Sequence, residues 1–147
     1  MSAESGASGM RDWRQTGDRR HIMVARVIAG LPLFVFGLAH IFVPGAAMHP
    51  LVEAAGLPAA QVLAPLGVAT EVLAGASLLL GAWARIGAVL AIAVMAVAAY
   101  THVAIETWPN PNEPPLLLPV VIILAAAYVL VRGAGRWSLD ARATARG

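Results

Sequence analysis

The sequence predicts an all-α integral membrane protein: a four-helix bundle of antiparallel up-down topology with both termini cytoplasmic. Three observations predict it. The first is composition, since 59% of the 147 residues are hydrophobic, only 12% are charged and the mean hydropathy is +0.75, whereas a soluble domain carries about a quarter charged residues. The second is that the charges leave four apolar blocks of the length needed to cross roughly 30 Å of hydrocarbon, about 20 residues. The third is that all ten basic residues are Arg and that they gather at alternate ends of those blocks, as the positive-inside rule requires.

Residues 1–20 are small, polar and charged, too poor in bulky side chains to bury anything, and are expected to form a disordered cytoplasmic tail. The first block, 22–43, contains only Arg26 and His40 as ionisable residues. Arg19 and Arg20 before it and Gly45-Ala46-Ala47 after it could be taken for a twin-arginine signal with its cleavage site, but the block is longer than the 7–15 residues of a signal core. The second block, 59–82, contains Glu71, and the third, 86–105, has only His102 near its end. A tight link at Trp83, Ala84 and Arg85 makes these two antiparallel neighbours. The fourth block, 114–131, follows a Pro-rich connection over 106–115 and has no ionisable group. The spans form one domain over 21–140, and 141–147 is a second cytoplasmic tail.

Orientation follows from the loops. Arg11, Arg14, Arg19, Arg20, Arg26, Arg85, Arg132, Arg136, Arg142 and Arg146 all fall on one side of a four-span chain, while the opposite loops carry Glu53, Glu106 and Glu113 and no Arg. Tyr100, Trp108, Trp83 and Trp137 fall near block ends and read as interfacial anchors. The high pI, near 9.9, does not point to nucleic acid, because the Arg are scattered along block edges. Absence of Cys excludes disulfides, thiolate catalysis and iron–sulfur ligation. The expected partners are the lipid bilayer and either other membrane subunits or further copies of the chain.

The polar groups fall on small-residue stripes, where a neighbouring helix rather than lipid should pack. Arg26, Gly30, Leu33, Gly37 and His40 share one face; Gly67, Glu71 and Gly75 share another; Ala88, Ala91, Met95, Ala98 and His102 a third. Glu71 lies near the bilayer midplane by residue count. An ionised carboxylate there costs at least about 3 kcal/mol on insertion scales, so it is protonated or paired. Two readings stand side by side: an interhelical hydrogen bond or salt bridge to Arg26, and a proton-carrying or quinone-binding carboxyl with Gly37 leaving space opposite. His40 and His102 lie near the outer helix ends and could face each other, which suits a hydrogen-bonding role at a ligand pocket, plain packing, or a metal or haem. Counting rise per residue puts Glu71 some 9–13 Å deeper than either His, too far for one ligand shell. No metal site is assigned. At the other end, Gly133-Ala134-Gly135-Arg136-Trp137-Ser138-Leu139-Asp140 reads as a glycine helix cap, a Trp anchor and a carboxylate able to pair with Arg85 or Arg26.

An Arg opening the first helix, Phe36-Gly37-Leu38-Ala39-His40, Glu71 followed by Leu73-Ala74-Gly75, Gly81-Ala82-Trp83-Ala84-Arg85 and the closing glycine-to-Asp140 run resemble the DoxX family of small four-helix bacterial membrane proteins. The resemblance covers about 22–140, and the closing run is its most specific part. It implies a location in the bacterial cytoplasmic membrane and kinship with a subunit of thiosulfate:quinone oxidoreductase and with membrane complexes of thiol and sulfur chemistry. It matches polar positions Arg26, Glu71, Arg85 and Asp140 but assigns no catalytic residue. His40 departs from the Lys found there in many members. The leading expectation is a subunit of a membrane redox complex with a lipophilic pocket for quinone, in which Glu71, His40, His102 and Arg26 are the ligand- or proton-binding candidates and Arg85 and Asp140 make structural contacts. The alternative is a non-catalytic structural subunit that packs against a larger membrane complex. The pocket expectation requires a cavity beside Glu71.

Overall fold

Six helices form in the computed structural model, which describes residues 20–105, 116–135 and 137–145. They are α1 (Arg20–Phe42), α2 (Met48–Ala54), α3 (Ala60–Leu80), α4 (Ala84–Ala104), α5 (Leu117–Arg132) and α6 (Leu139–Ala145). No strand occurs among the described residues. Helices α1, α3 and α4 are long and apolar enough to cross a membrane. Helix α5 has 16 described residues, about 24 Å of rise, and is equally apolar. The expected N-terminal tail, the 106–115 connection with Glu106, Trp108 and Glu113, and Arg136 and Arg146 lie outside the described residues.

Helix α1 packs on α3 and α5, α3 on α4, and α4 on α5, so the four long helices close a ring around one core. That core is Ala29 and Leu33 of α1, Ala74 and Leu78 of α3, Ala88, Ala91 and Met95 of α4, and Ile122, Ala126 and Val129 of α5. Small residues dominate because the attraction between helices in lipid comes from close packing rather than exclusion of water. The remaining faces expose Leu, Val and Ile, a surface made for hydrocarbon. The polar stripes turn inward: Arg26, Gly30, Leu33 and Gly37 are buried on α1, and Glu71 and Gly75 on α3.

Two short helices differ from the sequence reading. Residues 48–54, expected as loop, form α2, which packs on α3. Met48 lays its sulfur where a Cβ on Gly67 would come within 2.8 Å of it. Residues 139–145, of which 141–145 fall in the expected tail, form α6. Ser138 opens it by accepting a hydrogen bond from the Ala141 N–H at 3.0 Å, the usual N-cap arrangement.

The three-residue link between α3 and α4 is held from outside. Gly81 takes φ 66° as a left-handed C-cap, and the N–H groups of Gly81 and Ala82 both return to the Ser77 carbonyl. Trp83 follows at φ 53°, a conformation that costs a non-glycine residue about 1 kcal/mol or more. Asp140 holds it: its carboxylate accepts from the Trp83 N–H at 2.9 Å and the Ala84 N–H at 3.1 Å. A carboxylate from the far end of the chain thus caps α4 and meets its N-terminal dipole. Asp140→Ala is expected to lower stability by about 1–2 kcal/mol, the range of a lost cap, and Asp140→Asn by less. Thermal unfolding in detergent checks this, and equal losses for the two variants would rule out the charged cap.

Candidate functional site

The site begins with a glycine on α1. A Cβ at Gly37 would lie 2.8 Å from Val72 Cγ2 and 3.1 Å from Glu71 Cβ, so only glycine lets α1 approach α3 this closely. His40, one turn further along the same face, is thereby carried over Glu71. Its Nε2 stands 3.6 Å from Glu71 Oε2, and its Nδ1 donates to the carbonyl of Ala46. Glu71 is 3% exposed, and its Oε2 is buried with no hydrogen-bond partner.

This overturns the depth separation expected between His40 and Glu71. The count from helix ends assumed that paired helices end level. They do not: α1 stops two residues after His40, whereas α3 continues eleven residues beyond Glu71 to Ala60. Beyond the end of α1, residues 43–47 lead into α2, which packs on α3 and forms a roof. His40 is therefore half-buried under this roof.

A cavity of about 650 Å³ lies beneath the roof. Its floor and walls are apolar, with Leu33 and Phe36 from α1, Leu66 from α3, Val94 from α4 and Ile122 from α5. Polar groups stand only on α1, α3 and α4: His40, Thr70, Glu71, Thr101 and His102. The two threonines are committed as donors, Thr70 to the Leu66 carbonyl and Thr101 to the Ala98 carbonyl, each at 2.7 Å. On α2, His49 and Glu53 make an exposed pair at 3.8 Å. No group of three His, Cys, Asp or Glu is assembled to hold a metal ion among the described residues.

Arg26 is not in this cavity. Buried to 2% exposure, it spends its guanidinium on four carbonyls: Nε donates to Leu78 at 2.7 Å, Nη2 to Leu79 at 2.7 Å, and Nη1 to Ala134 at 2.9 Å and Trp137 at 2.8 Å. Leu78 and Leu79 are in the last turn of α3, whose carbonyls have no partner within the helix and whose dipole favours a cation. Gly81 makes the room, since a Cβ there would lie 2.5 Å from Arg26 Nη2. The carboxylate whose field acts on Arg26 is Asp140. The sequence reading placed Arg26 in reach of Glu71; the structure joins it instead to the chain's other end. Arg85 stands at the second position of α4, next to the residues that Asp140 caps.

Of the candidate site residues, the structure thus brings Glu71, His40 and His102 to one cavity and sets Arg26, Arg85 and Asp140 at the opposite end. What sequence reasoning missed was the Ala46 carbonyl and the Leu78, Leu79, Ala134 and Trp137 carbonyls, main-chain groups that no residue type announces.

A chain built from apolar helices of this length, with a polar pair sunk between them and an apolar exterior, is a membrane protein. It belongs to the DoxX family, whose family model matches residues 21–104, more than half of the chain. The match ends with α4, so the closing run to Asp140 lies beyond it. No curated protein and no solved structure matches the chain.

Proposed function

We propose that the protein is a four-helix subunit of a redox complex in the bacterial cytoplasmic membrane and that the cavity beneath the α2 roof binds quinone. The observation that carries this reading is the buried Glu71 carboxyl, paired with His40, in the wall of a cavity of about 650 Å³. That volume is in the ordinary range for small-molecule sites, which combine apolar walls with a few convergent polar groups. A buried ionisable residue inside a membrane is costly and by default marks a site. The residues fit the group: the apolar walls would take ring and chain, and His40, Glu71 and His102 would address its oxygens. With no Cys in the chain, electrons must come from a partner.

The fourth crossing in this reading is α5. Both termini are assigned to the cytoplasm, because Arg20, Arg26, Arg85, Arg132 and Arg142 lie at the end where α1 and α4 begin and α3 and α5 finish. The alternative, a purely structural subunit, would leave the cavity without a ligand.

Titration of the purified protein with decylubiquinone tests the choice. Saturating ligand at about 100 times Kd adds about 2.7 kcal/mol to stability, several degrees in Tm. Glu71→Gln, which preserves shape, should fold as well as wild type yet bind at least tenfold more weakly. An unchanged Tm at saturating probe, with an intact partner complex free of bound small molecules, would favour the structural reading.

A further inference from the structure

We infer that the polar end of the cavity is built for a hydroxyl group on an apolar body, in preference to a carbonyl, an ether or a carboxylate. The inference rests on reading the cavity as a ligand pocket and adds the chemistry of the head group. It begins at Ala46. A carbonyl oxygen can only accept, so His40 Nδ1, which bonds to it, must carry a proton. Only Nε2 is then left to choose its state, and it faces Glu71 Oε2 across 3.6 Å, just beyond hydrogen-bond reach.

The pair has two net-neutral forms that differ only in where one proton resides. In one, neutral His40 presents an Nε2 lone pair to a carboxylic acid; in the other, imidazolium presents N–H to a carboxylate. In either form one partner donates and the other accepts. The buried Oε2, which has no hydrogen-bond partner, is an unmet group of the kind that native proteins rarely leave. A single oxygen touching both partners must therefore accept from one and donate to the other. A hydroxyl does this in both proton positions, whereas a carbonyl or ether oxygen satisfies only the donor and leaves the acceptor unmet.

An anionic head is disfavoured by the remaining surroundings. Among the described residues the other titratable group lining the cavity is His102 on α4, while α2 carries the exposed His49 and Glu53 pair. Helix α5 contributes Leu118, Pro119 and Ile122, all apolar. On α1 the guanidinium of Arg26 is held by its four carbonyls at the other end of the bundle. A carboxylate oxygen only accepts, so like a carbonyl it meets the donor of the pair and leaves the acceptor unmet, and no Arg is among the described residues lining the cavity. Thr70 and Thr101 already donate to carbonyls and cannot also serve as donors to it.

The test compares matched probes on the full-length protein in mild detergent and oxygen-free buffer, with the quinol reduced beforehand and freed of reductant so that each probe keeps its oxidation state. Decylubiquinol is set against decylubiquinone, and farnesol against its methyl ether, with affinity read from the concentration dependence of Tm. Each hydroxyl compound is expected to bind at least tenfold more tightly than its partner. The gap should close in His40→Phe, where the Glu71 acid is left alone and can donate equally to a hydroxyl, carbonyl or ether oxygen. Equal or tighter binding of the carbonyl and ether, or no saturable binding by any of the four, overturns the inference. If the farnesol pair shows the preference and neither quinone form binds, the hydroxyl site stands and the quinone reading falls. Nitrogen-15 NMR of labelled His40 is a second check that needs no ligand: Nδ1 should be protonated, and an unprotonated Nδ1 overturns the argument at its first step.

Discussion

Arg26→Ala is expected to be the most damaging single substitution in the chain, lowering stability by about 4 kcal/mol and Tm by about 10 °C. Four carbonyls lose their donor at once, and a buried acceptor left without a partner costs about 1–3 kcal/mol. Two of them close α3, and two belong to the chain after α5, so the loss also severs α1 from both segments. Relaxation and lipid headgroup water recover part of the sum, which is why the expectation stops near 4 kcal/mol, the range seen when one partner of a buried ionic contact is removed. Arg26→Lys separates charge from geometry. An ammonium keeps the cation at the α3 C-terminus but offers three donors from one point, against carbonyls spread over two segments, so about half the loss should remain. Thermal unfolding in detergent reads both variants. A lysine variant as stable as wild type would show that charge alone suffices; an alanine variant within a degree of wild type would remove the guanidinium from its place as the tie at this end.

The same residue shows where sequence reading succeeds and where it stops. Apolar blocks bounded by charged and Pro-rich links predicted α1, α3 and α4 to within a few residues, because the length of a spanning helix is set by the bilayer and is visible in composition. The inward faces were legible too: Gly30, Gly37, Glu71 and Gly75 lie on small-residue stripes, and the structure buries them. Arg26 was legible as a polar group on such a stripe, yet its partners were not, since they are carbonyls whose position depends on Gly81 and the turn after α5. The depth of His40 failed for a related reason. Rise per residue locates a side chain along its own helix but not relative to a neighbour, and α1 and α3 are staggered at the roofed end. Helix α2 was hidden because seven residues are too few for periodicity to declare, and Asp140 because its cap is on a helix more than 50 positions away.

Gly75→Ala should strike both the fold and the cavity, and the two effects can be read separately. A Cβ on Gly75 would lie 2.6 Å from the Phe34 backbone nitrogen, 2.8 Å from Phe34 Cα and 2.9 Å from the Gly30 carbonyl oxygen. Every one of these is main chain, so no rotamer change relieves the clash and α1 as a whole must retreat from α3. Overpacking of this kind costs about 1–3 kcal/mol, here weighted to the upper end because tight contact is itself what joins helices in lipid. The retreat also widens the gap at the next turn, where Glu71 meets His40 at 3.6 Å, and probe binding should therefore weaken at least tenfold. Gly30→Ala provides the contrast. Two of its three nearest neighbours are side-chain atoms, Leu78 Cβ at 3.0 Å and Leu79 Cγ at 3.2 Å, and Gly30 lies nearly three helical turns from His40, so some stability should be lost with binding largely kept. If Gly75→Ala binds the probes as wild type does despite a lower Tm, the spacing of α1 and α3 does not set the His40 and Glu71 pair; if its Tm is unchanged as well, the two backbones are not in contact at this crossing.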